Sequence, residues 1–457
     1  MVAILSGALL SLAFKPFGAW AFAPIAIAIS FLGLKRSRHP YQYVLLFGFT
    51  FNAIVLHWSG KFVGALPWLL LSTLQAIYLL PIAFVFKKYR NVFLLLPIFL
   101  ITELLKSHTP FGGFGWTRIA FSQANAPFIS LVKVGGVALV TGAVIFIALL
   151  LVERPKYWKT FIILLLIAPL FIKSSQTHSS EISFAGVQGN TPSVGLDFNG
   201  RAKAVFDLHV KESKRISKNV DIIIWPENAA DIDPLQNDSM RLDILDLVSK
   251  KGAPLIMGAV LNSRGKLENA AVLFEKDGEV GSIYVKRHLT PFGEYMPLRS
   301  LAEFVSPYAS SVEDFSAGNK LVLHQINGKP LATVICYEII DDALVRESAN
   351  SAQALIVLTN SATFAGTAES AQQLEITRIR AIEHSRSIVS ISTVGISALI
   401  DQNGNVLKRT DENVAQILYG SLALSQERSI VDRLGGFSEP LVIVLAFIIA
   451  WRYRYRR

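Results

Sequence analysis

The chain has a single cysteine, Cys336, and that scarcity removes several classes of protein at once. One thiol cannot close an internal disulfide, and no C-x-x-C or paired-histidine spacing offers a metal site, so no metal or cofactor is expected. Charge is also scarce. Asp, Glu, Lys and Arg make up 17% of the residues, against about 25% in ordinary soluble proteins. Acidic residues are the rarer sign, 34 against 44 basic ones, which leaves a net charge of +10. A basic chain invites a nucleic-acid reading. Here the cations flank apolar stretches instead of forming one stripe, so no nucleic-acid partner is expected. Internal repeats and low-complexity tracts are absent as well.

Apolar sequence is what the chain has in abundance: 52% of residues are hydrophobic and mean hydropathy is +0.43. It concentrates in residues 1–173 and 437–451, in stretches near the roughly 20 residues that cross a bilayer. The expected spans are Met1–Phe14, Phe17–Leu34, Tyr43–Val63, Pro67–Phe86, Asn91–Leu105, Phe128–Val152, Thr160–Ile172 and Phe437–Trp451. A cleaved signal peptide is the rival reading of Met1–Phe14, but a basic n-region and an Ala-x-Ala-like site are missing. Basic clusters follow the even-numbered spans: Lys35-Arg-Ser-Arg38, Lys87-Lys-Tyr-Arg90, then Arg154, Lys156 and Lys159, and finally Arg452–Arg457. Cytoplasmic loops carry such an excess, which places both termini inside and residues 174–434 outside. The expected division is therefore a membrane domain over 1–173, an extracytoplasmic domain over 174–434, and a last span with a basic tail over 435–457.

Within 174–434, a linker is expected at Ser174–Glu181, and short β-rich runs then alternate with amphipathic segments. Strands are expected at Ile182–Gln188, Asp221–Trp225, Leu255–Val260, Ala270–Glu275, Ile283–Val285, Leu331–Cys336, Ala354–Leu358, Ile388–Thr393 and Ser397–Asp401. Helices are expected at Arg201–Lys218, Met240–Lys251, Asp342–Ala349 and Ala368–Arg386, and Asp401-Gln-Asn-Gly404 signals a hairpin-like turn. The pattern implies a layered α/β domain with helices covering its sheets.

Three residues in that domain form a chemical set. Glu227, Lys286 and Cys336 each sit at the C-terminal end of an expected strand, the sheet edge where sites collect in open α/β folds. Taken singly, each has a plain structural reading: a buried small thiol, a solvated carboxylate, a loop lysine. Together a carboxylate, an ammonium and a thiol can run acyl transfer. The carboxylate takes the thiol proton, the thiolate attacks a carbonyl, and the lysine stabilises thiolate and oxyanion.

Around the three stand Val187-Gln-Gly-Asn190, Trp225-Pro-Glu227, His288-Leu-Thr-Pro-Phe-Gly-Glu294, Ile335-Cys-Tyr-Glu-Ile-Ile340 and Arg378-Ile-Arg-Ala-Ile-Glu383. These segments resemble the carbon–nitrogen hydrolase (nitrilase) superfamily, and within it the bacterial apolipoprotein N-acyltransferases. The resemblance implies a polytopic α-helical membrane protein of about eight spans carrying an αββα sandwich. Glu227 would be general base, Lys286 stabiliser of the tetrahedral intermediate, and Cys336 the nucleophile. Glu294 would support the lysine or the leaving group, the Tyr337 N–H would help form an oxyanion hole, and Glu338 would support the site. His288 is read as structural. Trp116, in the aromatic connection Lys106–Pro127, is read either as an interfacial residue or as part of a floor guiding lipid tails, and Trp58 with His57 shares both readings. The implied partners are a phospholipid donor and a diacylglyceryl-modified lipoprotein acceptor, handled by a monomer in the bacterial cytoplasmic (inner) membrane. A tethered amidase with the same trio is the alternative. A transporter with an accessory domain is disfavoured because few charged residues lie within the spans. Three segments depart from the family pattern. Asn360-Ser-Ala-Thr-Phe364 stands where Asn-Asp-Ala-Trp-Phe is common, Ser392-Thr-Val-Gly395 where Thr-Asn-Asn-Gly is common, and no tryptophan stands near Leu196-Asp-Phe198.

Overall fold

Runs such as Ile222-Ile-Ile224 and Ala354–Leu358 are apolar at every position, as strands covered on both faces tend to be. The computed structural model, which describes residues 1–172, 180–192 and 202–454, builds both into sheets. Most of the expected linker Ser174–Glu181, the segment Leu196–Phe198, Arg201 and the last three residues of the basic tail lie outside the described residues.

The chain divides into two compact units, Met1–Ser174 with Ser429–Arg457, and Ser175–Arg428. Among the described residues the second unit holds twelve strands: β1 (Glu181–Gln188), β2 (Ile222–Ile224), β3 (Leu255–Ser263), β4 (Lys266–Phe274), β5 (Val280–Val285), β6 (Leu323–Ile326), β7 (Lys329–Ile335), β8 (Ala354–Thr359), β9 (Ile388–Ser392), β10 (Ala398–Ile400), β11 (Val406–Arg409) and β12 (Gln416–Ala423). They form two six-stranded sheets, ordered β12-β1-β2-β3-β4-β5 and β11-β10-β9-β8-β7-β6. β1–β2–β3 and β7–β8–β9 pair in parallel, and the outer strands pair antiparallel.

The sheets share one core in which Phe184, Ile224, Ile256 and Tyr284 pack with Ile335, Ile356, Leu358 and Ile391. On the far side of the first sheet, Trp225, Met257 and Val272 pack beneath Phe206, Ile244 and Val248 of helices Ala202–Ser213 and Asp238–Lys251. Helices Asp342–Ser351 and Glu369–His384 cover the second sheet, which completes four layers. The Asp401–Gly404 signal joins β10 to β11 as a hairpin, with Gly404 at φ +77°. β6, β11, β12 and the helix Arg299–Val305 were not among the sequence expectations.

Among the described residues of the first unit, three helical stretches are long and apolar enough to cross a membrane: Ala65–Tyr89, Ile129–Glu153 and Ile430–Tyr453. Other expected spans contain shorter helices, such as Phe22–Arg36 and Pro40–Val55. At about 1.5 Å per residue the latter needs flanking turns to match a bilayer core. The expected span Tyr43–Val63 gives way at His57–Gly60 to a 3₁₀ turn. The expected boundary at 434 also shifts, because the second unit ends at Arg428 and the short helix Ile430–Leu434 belongs with the apolar unit. Large apolar side chains including Leu46, Leu70, Phe84, Leu164, Val444 and Phe447 stand exposed on this unit.

Candidate active site

Three strand ends bring the chemistry together. After β2, Trp225 is fully buried and donates its indole N–H to Ser213 Oγ at 2.8 Å, so the chain is anchored before Pro226 and Glu227 turn away. Gly258 of β3 permits that turn. A Cβ there would lie 2.4 Å from the Pro226 carbonyl oxygen and 2.5 Å from Glu227 Cα. After β5 comes Lys286, 1% exposed, and after β7 comes Cys336 at φ +50°, a left-handed conformation that costs a non-glycine residue strain.

Lys286 Nζ lies 3.2 Å from Glu227 Oε1 and 2.8 Å from Glu294 Oε2. Asn269 of β4 ties the two carboxylates together, donating Nδ2–H to Glu227 at 2.8 Å and to Glu294 at 2.6 Å. The Thr290 N–H adds a 2.7 Å bond to Glu294. Burial works against a charged lysine, but Glu227 and Glu294 outweigh it and hold Lys286 firmly cationic. Burial also works against an ionised Glu294, yet the lysine and the N–H donors hold that carboxyl below its usual range. Cys336 behaves in the opposite way. Burial, followed by the Glu227 charge, pushes its thiol well up despite Lys286. The resting sulfur is therefore a thiol hydrogen-bonded to Glu227, and it becomes a nucleophile only when a base takes its proton.

Glu338 is a structural pin. Its carboxylate accepts from the N–H groups of Ile335 (2.8 Å), Arg287 (2.7 Å) and His288 (3.2 Å), and from the Tyr284 hydroxyl (2.8 Å). One side chain thus fixes the strand end bearing Cys336 to the turn bearing Lys286. Tyr337 is buried with its ring edge-on to His288, and His288 Nδ1 lies 2.9 Å from Asp341. Behind the nucleophile, buried Arg380 donates to the Ile339 and Ile340 carbonyls at 2.9 and 3.0 Å and pairs with Asp342 and Glu383. The Arg378–Glu383 segment is thereby a buttress for the turn after Cys336.

Of the sequence-predicted residues, Glu227, Lys286, Glu294 and Cys336 meet in one cluster, while Tyr337 and Glu338 build its frame. Trp116 stands in the apolar unit, buried against Trp58 (5.2 Å between rings) and Phe114 (6.5 Å). Sequence reasoning missed Asn269, a polar residue where strand β4 passes from its exposed start into its buried apolar run. It also missed Gln373, whose Nε2–H approaches Cys336 Sγ at 3.7 Å, and Glu369, one helical turn before it. Among the described residues no cluster of side chains suits a metal ion.

The comparisons with known proteins follow the same division. Residues 6–150 match the family model of the apolipoprotein N-acyltransferase N-terminal domain, and residues 185–431 match that of carbon-nitrogen hydrolase. The chain is 31% identical to an apolipoprotein N-acyltransferase of Mycolicibacterium smegmatis, across 97% of this chain and 83% of that protein. It is 28% identical to the Pseudomonas syringae protein of the same name, across 99% and 96%. Among solved structures, a CN-hydrolase superfamily protein from Xanthomonas campestris matches with 17% identity and a TM-score of 0.41, covering 53% of this chain and 91% of that one. With an N-terminal domain of that type joined to a carbon-nitrogen hydrolase domain, and relatives matched over nearly the full length, the chain belongs to the apolipoprotein N-acyltransferase family.

Proposed function

We propose that the chain moves a fatty acyl group from a membrane phospholipid to Cys336, as a thioester, and then to the α-amino group of an N-terminal S-diacylglyceryl cysteine on a lipoprotein. The observation that carries this reading is the buried Glu227–Lys286–Glu294 cluster beside a thiol presented at a left-handed strand end. Glu227 takes the thiol proton and Sγ attacks the ester carbonyl carbon. Lys286 and the Tyr337 N–H meet the developing oxyanion. The ester C–O bond breaks, Glu227 returns the proton to the leaving oxygen, and the lysophospholipid departs. In the second half the amine attacks, the C–S bond breaks, and an N–H proton reaches Sγ through Glu227. Glu294 and Asn269 keep the lysine aimed throughout.

Both substrates are lipids, so the enzyme is placed in the bacterial cytoplasmic membrane with about eight crossings and its catalytic unit outside. Support comes from the basic clusters after alternate helices and from the apolar side chains exposed on the first unit. Trp116 is assigned to acyl-chain contact within that unit, and the enzyme works as a monomer. A tethered amidase would use the same trio but would need one anchor, and the match over residues 6–150 favours transfer. The test supplies purified enzyme with a phospholipid and a synthetic S-diacylglyceryl-cysteinyl peptide. N-acylated peptide as the main product is expected. Free fatty acid at the same rate with and without peptide would leave a hydrolase.

A further inference from the structure

Next to the trio stands a further carboxyl group that the steps above do not use. Glu369 opens the helix Glu369–His384 and is 3% exposed. Its Oε2 has no hydrogen-bond partner among the described residues, and the side chain is bonded to Ser361. Four residues on, Gln373 touches Cys336 Sγ, so position 369 lies on the same face of the helix. Glu227 after β2 and Glu412 between β11 and β12 act on it, and the Cys336 thiol after β7 lies within its own electrostatic reach. Burial raises the Glu369 carboxyl, the Ser361 bond pulls it back, and the two carboxylates add to the rise, leaving it at about 7.

Two of the segments that depart from the family pattern meet here. A Cβ on Gly395 would lie 2.5 Å from Ser370 Oγ, 2.8 Å from Ser392 Oγ and 2.9 Å from Ser361 Oγ. Asn360–Phe364 and Ser392–Gly395 therefore pack together beside the start of this helix, and the first of them supplies the Ser361 hydroxyl bonded to the Glu369 carboxyl.

The second half-reaction leaves a proton unassigned. An α-amino group ordinarily titrates at about 7.7–8.0, so near neutrality the acceptor arrives mainly as an ammonium ion. Attack requires the free amine, and forming the amide then releases another N–H proton. Glu227 can pass only one of them to Sγ.

We infer that Glu369 receives the acceptor's α-ammonium group and removes its excess proton. The ammonium gives one proton to the Glu369 carboxylate. The freed lone pair attacks the thioester carbon, the C–S bond breaks, and the second N–H proton passes through Glu227 to restore the thiol. Glu369 afterwards releases its proton to water. This inference rests on the acyl-transfer reading above.

The test follows wild type, Glu369→Gln and Ser361→Ala through each half-reaction separately, first with phospholipid alone and then with the S-diacylglyceryl-cysteinyl peptide. Glu369→Gln is expected to form the acyl adduct at the wild-type rate and to discharge it about 10-fold more slowly near pH 7. Its transfer should recover by about pH 9, where the peptide supplies free amine without help. Ser361→Ala removes the bond that holds the carboxyl down, so the acid limb of transfer should move to higher pH. A Gln variant with wild-type transfer and an unchanged pH profile overturns the inference. If that variant does not fold, an unshifted limb in Ser361→Ala overturns it instead. Wild-type enzyme that forms no adduct with phospholipid would overturn the acyl-transfer reading itself, whatever Glu369 does.

Discussion

A thiol held protonated by burial and a neighbouring carboxylate is a poor nucleophile until a base engages it. Glu227→Gln keeps the shape of that base but cannot take a proton, so adduct formation from phospholipid should fall by roughly 10²–10⁴-fold. Lys286→Met should cost about 10²-fold or more in the same step. It should also lower the thermal midpoint, because it strands two buried carboxylates, and breaking a buried pair costs about 3–5 kcal/mol. Rates read by intact mass and midpoints read by scanning fluorimetry separate the two effects. Wild-type acylation in Glu227→Gln would move the base role to another carboxylate. Glu227, Lys286 and Cys336 were legible in the sequence because each ends an apolar run within a distinctive motif. Asn269 and Glu369 were not. A single polar residue in a strand or helix looks the same whether it faces solvent or a reaction centre, and only the fold shows Asn269 bridging two carboxylates.

At the scale of elements, placement of Glu227 depends on a strand that has no side chain at one position. Gly258→Ala would press a methyl against the Pro226–Glu227 backbone, which cannot yield as a flexible side chain does. The expected result is a folded protein, destabilised by about 1–3 kcal/mol, whose adduct formation falls by about 10-fold or more as Glu227 is displaced. Circular dichroism and the acylation rate check it, and unchanged acylation would show that Glu227 is positioned by other contacts. The interior strands were legible because their faces are covered on both sides, so each carries a buried apolar run. The missed strands fail that rule. β6, β11 and β12 lie at sheet edges, and β11 is almost wholly exposed as Val406-Leu-Lys-Arg409. β12 is specified by its eight-residue pairing with β1, a contact between residues more than 200 positions apart that no local pattern encodes.

For the whole molecule, the distribution of charge makes a prediction about sidedness. In a Cys336→Ala background, a cysteine at Ser37 should be shielded from an impermeant thiol reagent in sealed cells, and one at Asp277 should be labelled. Where an outer membrane exists it is first permeabilised. Labelling at Ser37 would reverse the orientation. The basic clusters that set this expectation are local and easily read, whereas helix ends are not. The structure ends the third helix at Val55, where the hydropathy runs on toward Val63. The claim on which everything else depends is that Cys336 carries the acyl group between two substrates. Its most direct measurement is the intact mass of the purified protein after incubation with phospholipid alone, followed by addition of the S-diacylglyceryl-cysteinyl peptide. One acyl group should appear on Cys336 and vanish as the peptide becomes N-acylated. Sustained transfer with no adduct at Cys336, or undiminished transfer by Cys336→Ala, would contradict it.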